Sequence, residues 1–194
     1  MNKKTGLFFG SFNPIHVGHL ILAQNILNEQ NLDEIWFVVS PQNPFKSKST
    51  LLSEHHRLSM VREAIKDNPK FRASDIEFKL PQPSYTIHTL LHLEEKYPGK
   101  SFYLIMGSDN VEGLHKWKNY EQIVNHYKIL VYPRPGSKQE TEIQSNPNII
   151  FTHAPVMEIS SSFIREEIKK GNDVRYMLTE PVYQYIQEMH FYKK

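Results

Sequence analysis

The chain contains no cysteine. Disulfides, thiolate metal sites and a cysteine nucleophile are therefore excluded, and the composition suits a reducing compartment. Charge of one sign is also scarce: 23 lysines and arginines face 21 acidic residues. That excess is too small for the basic footprint of a nucleic-acid binder. The basic residues that do gather, Lys46 and Lys48, suit one phosphorylated small molecule. No apolar run approaches the roughly 20 residues of a membrane span. The run that follows MNKKTG is only about four residues, too short for a signal-peptide core. The chain is accordingly read as cytoplasmic, with neither nucleic acid nor membrane as a partner. Neither G-x-G-x-x-G nor G-x-x-x-x-G-K-[ST] occurs, which disfavours the usual dinucleotide fold and the P-loop ATPases. No internal repeat is visible.

What is present is a soluble globular composition, 39% apolar and 23% charged, over 194 residues, which fits a single domain spanning 1–194. Apolar runs at 7–9, 34–40, 71–80, 101–106, 127–132 and 149–152 read as strands. Helical periodicity appears at 19–28, with Leu20, Ala23, Ile26 and Leu27 on one side. Further helices are expected from the Ser53 cap to about 67, over 86–97 and 161–170, and over 181–189, with a short one after Gly107. Strand, loop and helix alternate, so the fold class is α/β: a Rossmann-like open, mostly parallel sheet with helices on both faces. Ligands bind such sheets beyond the strand C-termini. The polar segments there are 10–19, 41–48, 107–109 and 133–136, while 136–148 reads as a surface excursion.

Two stretches carry chemistry. The first is GSFNPIHVGHL, residues 10–20, where a strand turns into a helix. A helix N-terminus attracts anions through its free N–H groups and dipole. His16 and His19 stand where imidazole N–H groups would meet phosphate oxygens. An ordinary pair of turn histidines is the alternative. A metal pair is disfavoured, because zinc proteases space their histidines four apart around a glutamate. The second stretch is ISSSFIREEIKKG, residues 159–171. One serine would suffice as a cap, and Arg165 in the first turn opposes the helix dipole. Either Arg165 pairs with Glu166 or Glu167 on the surface, or an anion is shared by serine hydroxyls, helix N–H groups and Arg165. A polyphosphate would meet that demand.

GSFNPIHVGH together with ISSSFIR resembles the nucleotidyltransferase superfamily marked by H-x-G-H and a late [ST]-x-x-R motif. NPFK at 43–46, SYT at 84–86, MGSDN at 106–110, Trp117, RPG at 134–136 and LTEPVYQYIQEMHFY at 178–192 are similar to bacterial nicotinate-nucleotide adenylyltransferases. The resemblance covers essentially the whole chain and puts the late Ser/Arg motif on C-terminal helices. It implies transfer of AMP from ATP to nicotinate mononucleotide, giving deamido-NAD and pyrophosphate in NAD biosynthesis. His16 and His19 would then contact the ATP phosphates. Ser160, Ser162 and Arg165 would hold the leaving β and γ groups. Lys46 would reach the acceptor phosphate or the reacting centre. Gly10, Ser11 and Phe12 would let the nucleotide approach the backbone, and Gly107 with Asp109 would line the nucleotide pocket. Ser84, Tyr85, Thr86, Trp117, Lys118 and Arg134 would serve the acceptor. The acceptor carboxylate would meet N–H groups before a helix, and its ring the face of Trp117. Mg²⁺ would arrive through the ATP phosphates, with no protein metal site. A homo-oligomer is compatible with the sequence.

Three positions depart from the pattern. Phe9 stands where many relatives have a second glycine, Asn13 replaces a common aspartate, and Lys118 follows Trp117 where some relatives have tyrosine. His88 and His92, spaced i, i+4 on an expected helix, read as a solvated face or as a metal pair. Two rivals are carried forward. One is a sister transferase acting on phosphopantetheine or glycerol phosphate. The other is a silent nucleotide-binding module.

Overall fold

The computed structural model describes residues 2–41, 51–136 and 145–193. Six strands form one sheet: β1 (Lys3–Gly10), β2 (Glu34–Val39), β3 (Phe71–Ser74), β4 (Lys100–Gly107), β5 (Lys128–Tyr132) and β6 (Ile149–Phe151). Their order is β3-β2-β1-β4-β5-β6, and every pairing is parallel. β2 is buried from Ile35 to Val39 without alternation, as a strand covered on both faces must be.

Helices cover each face. On one side lie α1 (Val17–Glu29), α2 (Glu54–Ile65), α6 (Ser161–Lys169) and α7 (Glu180–Glu188). They pack Leu22, Ile26, Met60, Val61, Ile164 and Ile186 onto Phe8, Phe37 and Leu130. On the other side, α3 (Thr86–Lys96), α4 (Ser108–Glu112) and α5 (Tyr120–His126) pack Leu90, Val111 and Ile123 onto Leu7, Trp36 and Leu104. Each such side chain contributes about 1.5–3 kcal/mol on burial. The alternation of Leu7 and Phe8 between the two cores follows from the two-residue period of a strand.

The expected alternation of elements is present, with α5 as a helix that the sequence reading lacks and two corrections. The run at 71–80 is not one strand. Pairing with β2 ends at Ser74, and Ile76–Lys79 form a 3-10 turn. Its apolar residues suit either conformation, and the turn buries both Ile76 and Glu77. The first helix starts at Val17 rather than at His19, which makes His16 its cap. The segment 42–50, with Lys46 and Lys48, and most of the excursion at 136–148 lie outside the described residues.

The strand order reverses between β1 and β4, which run side by side. Gly10 is level with Val39 and Gly107 with Tyr132, so four C-terminal ends share one edge. A crevice opens there in folds of this kind. Among the described residues, no helix is long and apolar enough to cross a membrane.

Candidate active site

The turn after β1 is built by close packing. A Cβ on Gly10 would stand 2.8 Å from the Phe12 ring, so only glycine lets that ring fold beneath the strand end. Phe12 has φ of 45°, a left-handed conformation costing about 1–3 kcal/mol for such a residue. Packing holds it there: its ring is 2% exposed and meets Phe8, Phe37 and His19 at centroid distances of 5.9, 5.7 and 5.2 Å.

His16 and His19 come together as a stacked pair, ring centroids 3.7 Å apart. The backbone N–H of His16 donates to Nδ1 of His19 at 3.2 Å. That bond leaves the proton of a neutral His19 on Nε2, which becomes a fixed donor. His16 is buried, and its Nδ1 has no hydrogen-bond partner among the described residues. Gly18 explains the spacing of the motif. A Cβ there would come within 3.0 Å of that same Nδ1 and 2.6 Å of Ile159.

Burial, aided by the charge of Arg134, lowers the His16 pKa from 6.5 to about 4. The pair is therefore neutral at His16 near pH 7, so the stacked rings avoid like-charge repulsion. The stability consequence has a definite sign. Between about pH 4 and pH 6.5 the unfolded chain binds a proton at His16 that the folded chain refuses. Stability rises with pH across that window and is lost as the pH falls through it. His16→Gln is expected to flatten this slope. Wild type should lose about 3 kcal/mol more than the variant between neutral pH and pH 4. Urea unfolding at each pH measures this, and parallel curves would contradict it.

The late motif closes onto this turn. Ser160 caps α6 by accepting the Phe163 N–H at 3.2 Å. Ser161 donates to the Pro14 carbonyl at 2.8 Å, and Arg165 Nη1 donates to the Asn13 carbonyl at 2.8 Å. The second guanidinium arm of Arg165 donates to the Ser162 hydroxyl at 3.3 Å. The three serines thus divide three tasks: capping, tying the helix to the turn, and holding the arginine. Two of the five guanidinium donors are used in these bonds, leaving others for an anion.

A cavity of about 410 Å³ lies between these parts. Gly10, Ser11, Phe12, His16 and His19 line one wall. Ser160, Ser162, Arg165, Asp109 and Arg134 line the other. The sequence groups Arg134 with the acceptor residues; it lines this first cavity, where its charge acts on His16. Its Nε is 3.7 Å from Asp109 Oδ1, with both side chains well exposed, so the pair itself adds little stability. Gly107 makes room for both: a Cβ there would collide with the Asp109 carboxylate and lie 2.9 Å from Arg134 Cγ.

A second cavity of about 240 Å³ shares Phe9, Gly10, Ser11, Asn110 and Tyr132 with the first, so the two form one crevice across the β1–β4 edge. Ser84, Tyr85, Thr86, Gly107, Trp117 and Lys118 line it. Tyr85 caps α3 with its backbone only, and no acidic side chain stands in the first turn. The N–H groups of that turn face no side-chain cap, which is an anion-receiving arrangement. The Lys118 ammonium rests over the Tyr85 ring, 4.6 Å from its centre. The rings of Tyr85 and His88 pack edge to face.

Several site-building residues were invisible in the sequence. Arg57 is fully buried and donates to four carbonyls: Leu52 at 2.9 Å, Ser11 at 2.6 Å, Ser40 at 2.8 Å and Pro41 at 2.8 Å. Asn13 accepts the Leu52 N–H at 3.3 Å and the Tyr192 hydroxyl at 2.8 Å through its side-chain oxygen. The amide in place of a common aspartate therefore serves as a joint between the first turn and the C-terminus. Lys46 lies outside the described residues.

The chain is similar to known proteins along its whole length. The cytidylyltransferase-like family profile matches residues 7–167. A "probable nicotinate-nucleotide adenylyltransferase" of Flavobacterium johnsoniae is 54% identical over 98% of this chain and 100% of its own. A protein of the same name from Christiangramia forsetii is 52% identical, with 100% of both chains covered. Among solved structures, the Plasmodium falciparum nicotinic acid mononucleotide adenylyltransferase complexed with NaAD superimposes with a TM-score of 0.80. It is 24% identical over 98% of this chain and 97% of that one, so this likeness speaks to the fold. With the profile spanning most of the chain and relatives above half identity over its full length, this protein belongs to the cytidylyltransferase-like family, among the nicotinate-nucleotide adenylyltransferases.

Proposed function

We propose that this chain transfers AMP from ATP to the 5′-phosphate of nicotinate mononucleotide, forming deamido-NAD and pyrophosphate in NAD biosynthesis. The observation that carries this reading is the continuity of two unlike cavities across Gly10 and Ser11. One end offers imidazoles, serine hydroxyls and two arginines, which suits a polyphosphate. The other offers a helix N-terminus and an indole, which suits an anionic aromatic ring.

The acceptor phosphate oxygen attacks the α-phosphorus of ATP, the bond to the β-phosphate oxygen breaks, and pyrophosphate leaves with the electron pair. The nucleophile is already ionised near neutral pH, so the site has no proton to remove. Catalysis is then alignment of the two nucleotides plus stabilisation of charge on the transferring and leaving groups. In this scheme the His19 Nε2–H and the imidazole of His16 donate to the phosphates at the N-terminus of α1. Arg165 and Ser162 hold the departing pyrophosphate. Arg134 adds positive charge on the opposite wall.

Asp109 is the one carboxylate lining the first cavity among the described residues, and Arg134 already faces it. That donor set fits a Mg²⁺ carried by phosphate oxygens and water rather than by a protein cage. When bound, Mg²⁺ neutralises charge on the phosphates.

Trp117 is assigned to the acceptor ring. Trp117→Ala is expected to raise KM for nicotinate mononucleotide at least about tenfold, the scale of losing one aromatic stacking partner. KM for ATP should stay within about twofold. Equal increases for both substrates would remove Trp117 from the acceptor pocket. The functional reading itself is tested by pyrophosphate release with ATP, Mg²⁺ and one acceptor at a time: nicotinate mononucleotide, phosphopantetheine or glycerol phosphate. Release with the first alone supports it. Release with another acceptor favours the sister transferases, and tight ATP binding without release from any would favour a silent module.

A further inference from the structure

The acceptor cavity contains a buried carboxyl group that the reaction leaves unused. Glu77 is 3% exposed, sits on the 3-10 turn after β3 and lines that cavity. Thr89, itself fully buried on α3, donates its hydroxyl to Glu77 Oε1 at 2.8 Å. The hydroxyls of Ser40 and Ser84 act on the same carboxyl. Ser40 follows β2, and Ser84 opens the segment that caps α3. Three stretches of chain, the turn after β3, the end of β2 and the segment 84–89, therefore meet at one carboxyl group. Among the described residues Glu77 has no ion pair, although Lys116 and Lys118 line the same cavity.

A buried carboxyl without a cation is costly, and an apolar residue would fill the space without that cost. What an apolar residue lacks is acceptor capacity. Three hydroxyl groups converge here, and a carboxylate has about four lone-pair sites and no donor of its own. Burial raises the Glu77 pKa overall, and the Thr89, Ser40 and Ser84 hydroxyls oppose that rise without cancelling it. The hub also reaches the phosphate side. The Ser40 N–H donates to the Gly10 carbonyl at 2.9 Å, and the Ser40 carbonyl accepts from Arg57 at 2.8 Å.

We propose that Glu77 is the positioning residue of the acceptor pocket: its carboxyl fastens the Ser84 segment and the start of α3 to the end of β2, and so sets the preference for an acid-bearing ring. This deepens, and rests on, the functional reading above. Glu77 does not touch the acceptor in this account. It acts by holding the N–H groups of the α3 first turn at a fixed distance from the phosphate turn, where a misplacement of about 1 Å is enough to lose much of the productive geometry.

The test uses Glu77→Ala, Glu77→Gln and Thr89→Val in the full chain. Amide hydrogen exchange at residues 84–89 reads the positioning itself, independently of any reaction. It is expected to quicken at least about tenfold in Glu77→Ala, as local opening becomes easier. In steady state, KM for nicotinate mononucleotide should rise at least about tenfold while KM for ATP moves less than about twofold. The preference for nicotinate over nicotinamide mononucleotide should shrink. Glu77→Gln, which keeps one acceptor oxygen and the shape, should recover most of each loss, and Thr89→Val should show a smaller version should Glu77→Ala fail to fold. Unchanged exchange, or KM values for both substrates rising together, would overturn the proposal. Faster exchange in Glu77→Ala, together with a wild-type chain that uses no nicotinate mononucleotide, would sink the functional reading while leaving the hub, and the specificity half of the proposal would fall with that reading.

Discussion

His19→Ala is expected to lower turnover by about two to three orders of magnitude, the usual loss on removing one preorganised donor from a charged transition state. The bond from the His16 N–H to His19 Nδ1 fixes the ring, so its Nε2–H needs no reorganisation when charge develops. A histidine suits this place better than a lysine. A neutral imidazole donor would bind substrate and product phosphates less tightly than the permanent charge of a lysine, so more of its effect would fall on the transition state. The loss should therefore appear in kcat more than in KM for ATP. His19→Asn, which keeps an N–H donor at shorter reach, should recover part of it. The folded variant is checked by single-turnover formation of pyrophosphate. A loss below about threefold would remove His19 from its assigned role.

Arg57 carries the largest expected effect on stability. Replacing it by methionine leaves four partly buried carbonyls, those of Ser11, Ser40, Pro41 and Leu52, without their donor. Its charge is not balanced by a carboxylate in hydrogen-bond contact among the described residues. The carbonyl dipoles solvate it, and burial still lowers its pKa. Removal of such a group typically costs about 3–5 kcal/mol. For a chain of this size that is a fall in Tm of roughly 7–12 °C. Arg57→Lys should lose nearly as much, because one ammonium cannot span four acceptors in a fork. Both loops that Arg57 holds, after β1 and after β2, border the crevice, so activity at a permissive temperature should fall as well. Thermal unfolding measures the first effect, and a shift under about 3 °C would contradict the account.

The parts of the site that were legible in the sequence are local ones. Two histidines around a glycine, and three serines ahead of an arginine, each lie within one turn of chain, so their spacing could be read directly. The alternation of elements likewise gave the α/β class, because hydrophobic period is a local property. Arg57, Glu77 and Tyr192 were not legible. Each is an ordinary residue in its own stretch, and its partners lie far along the chain: Ser11 for Arg57, Ser40 for Glu77, Asn13 for Tyr192. Only the folded arrangement supplies their meaning. The run at 71–80 failed for a related reason. Its apolar residues fit a strand or a 3-10 turn equally well, and Glu77 is one of four charged residues there, with Arg72, Asp75 and Lys79, so it reads as solvent-facing until the hydroxyls around it are placed. Three serines in a row look redundant in the sequence, and the redundancy disappears in the fold, where Ser161 faces the Pro14 carbonyl.

The location of Arg134 also changes the emphasis of the site. Its charge lowers the His16 pKa further than burial alone would, so the arginine favours the neutral imidazole on which the stacked pair depends. The two walls of the first cavity are in this way electrostatically linked, one supplying permanent charge and the other neutral donors.

The most direct test of the central claim is pyrophosphate release with ATP and Mg²⁺, with nicotinate mononucleotide and nicotinamide mononucleotide compared as acceptors. A ring carboxylate received by the first turn of α3 predicts a kcat/KM ratio favouring the acid by at least about a hundredfold, as expected when a buried site is built for one charge state. Equal use of both acceptors, or no release with the acid, would contradict it.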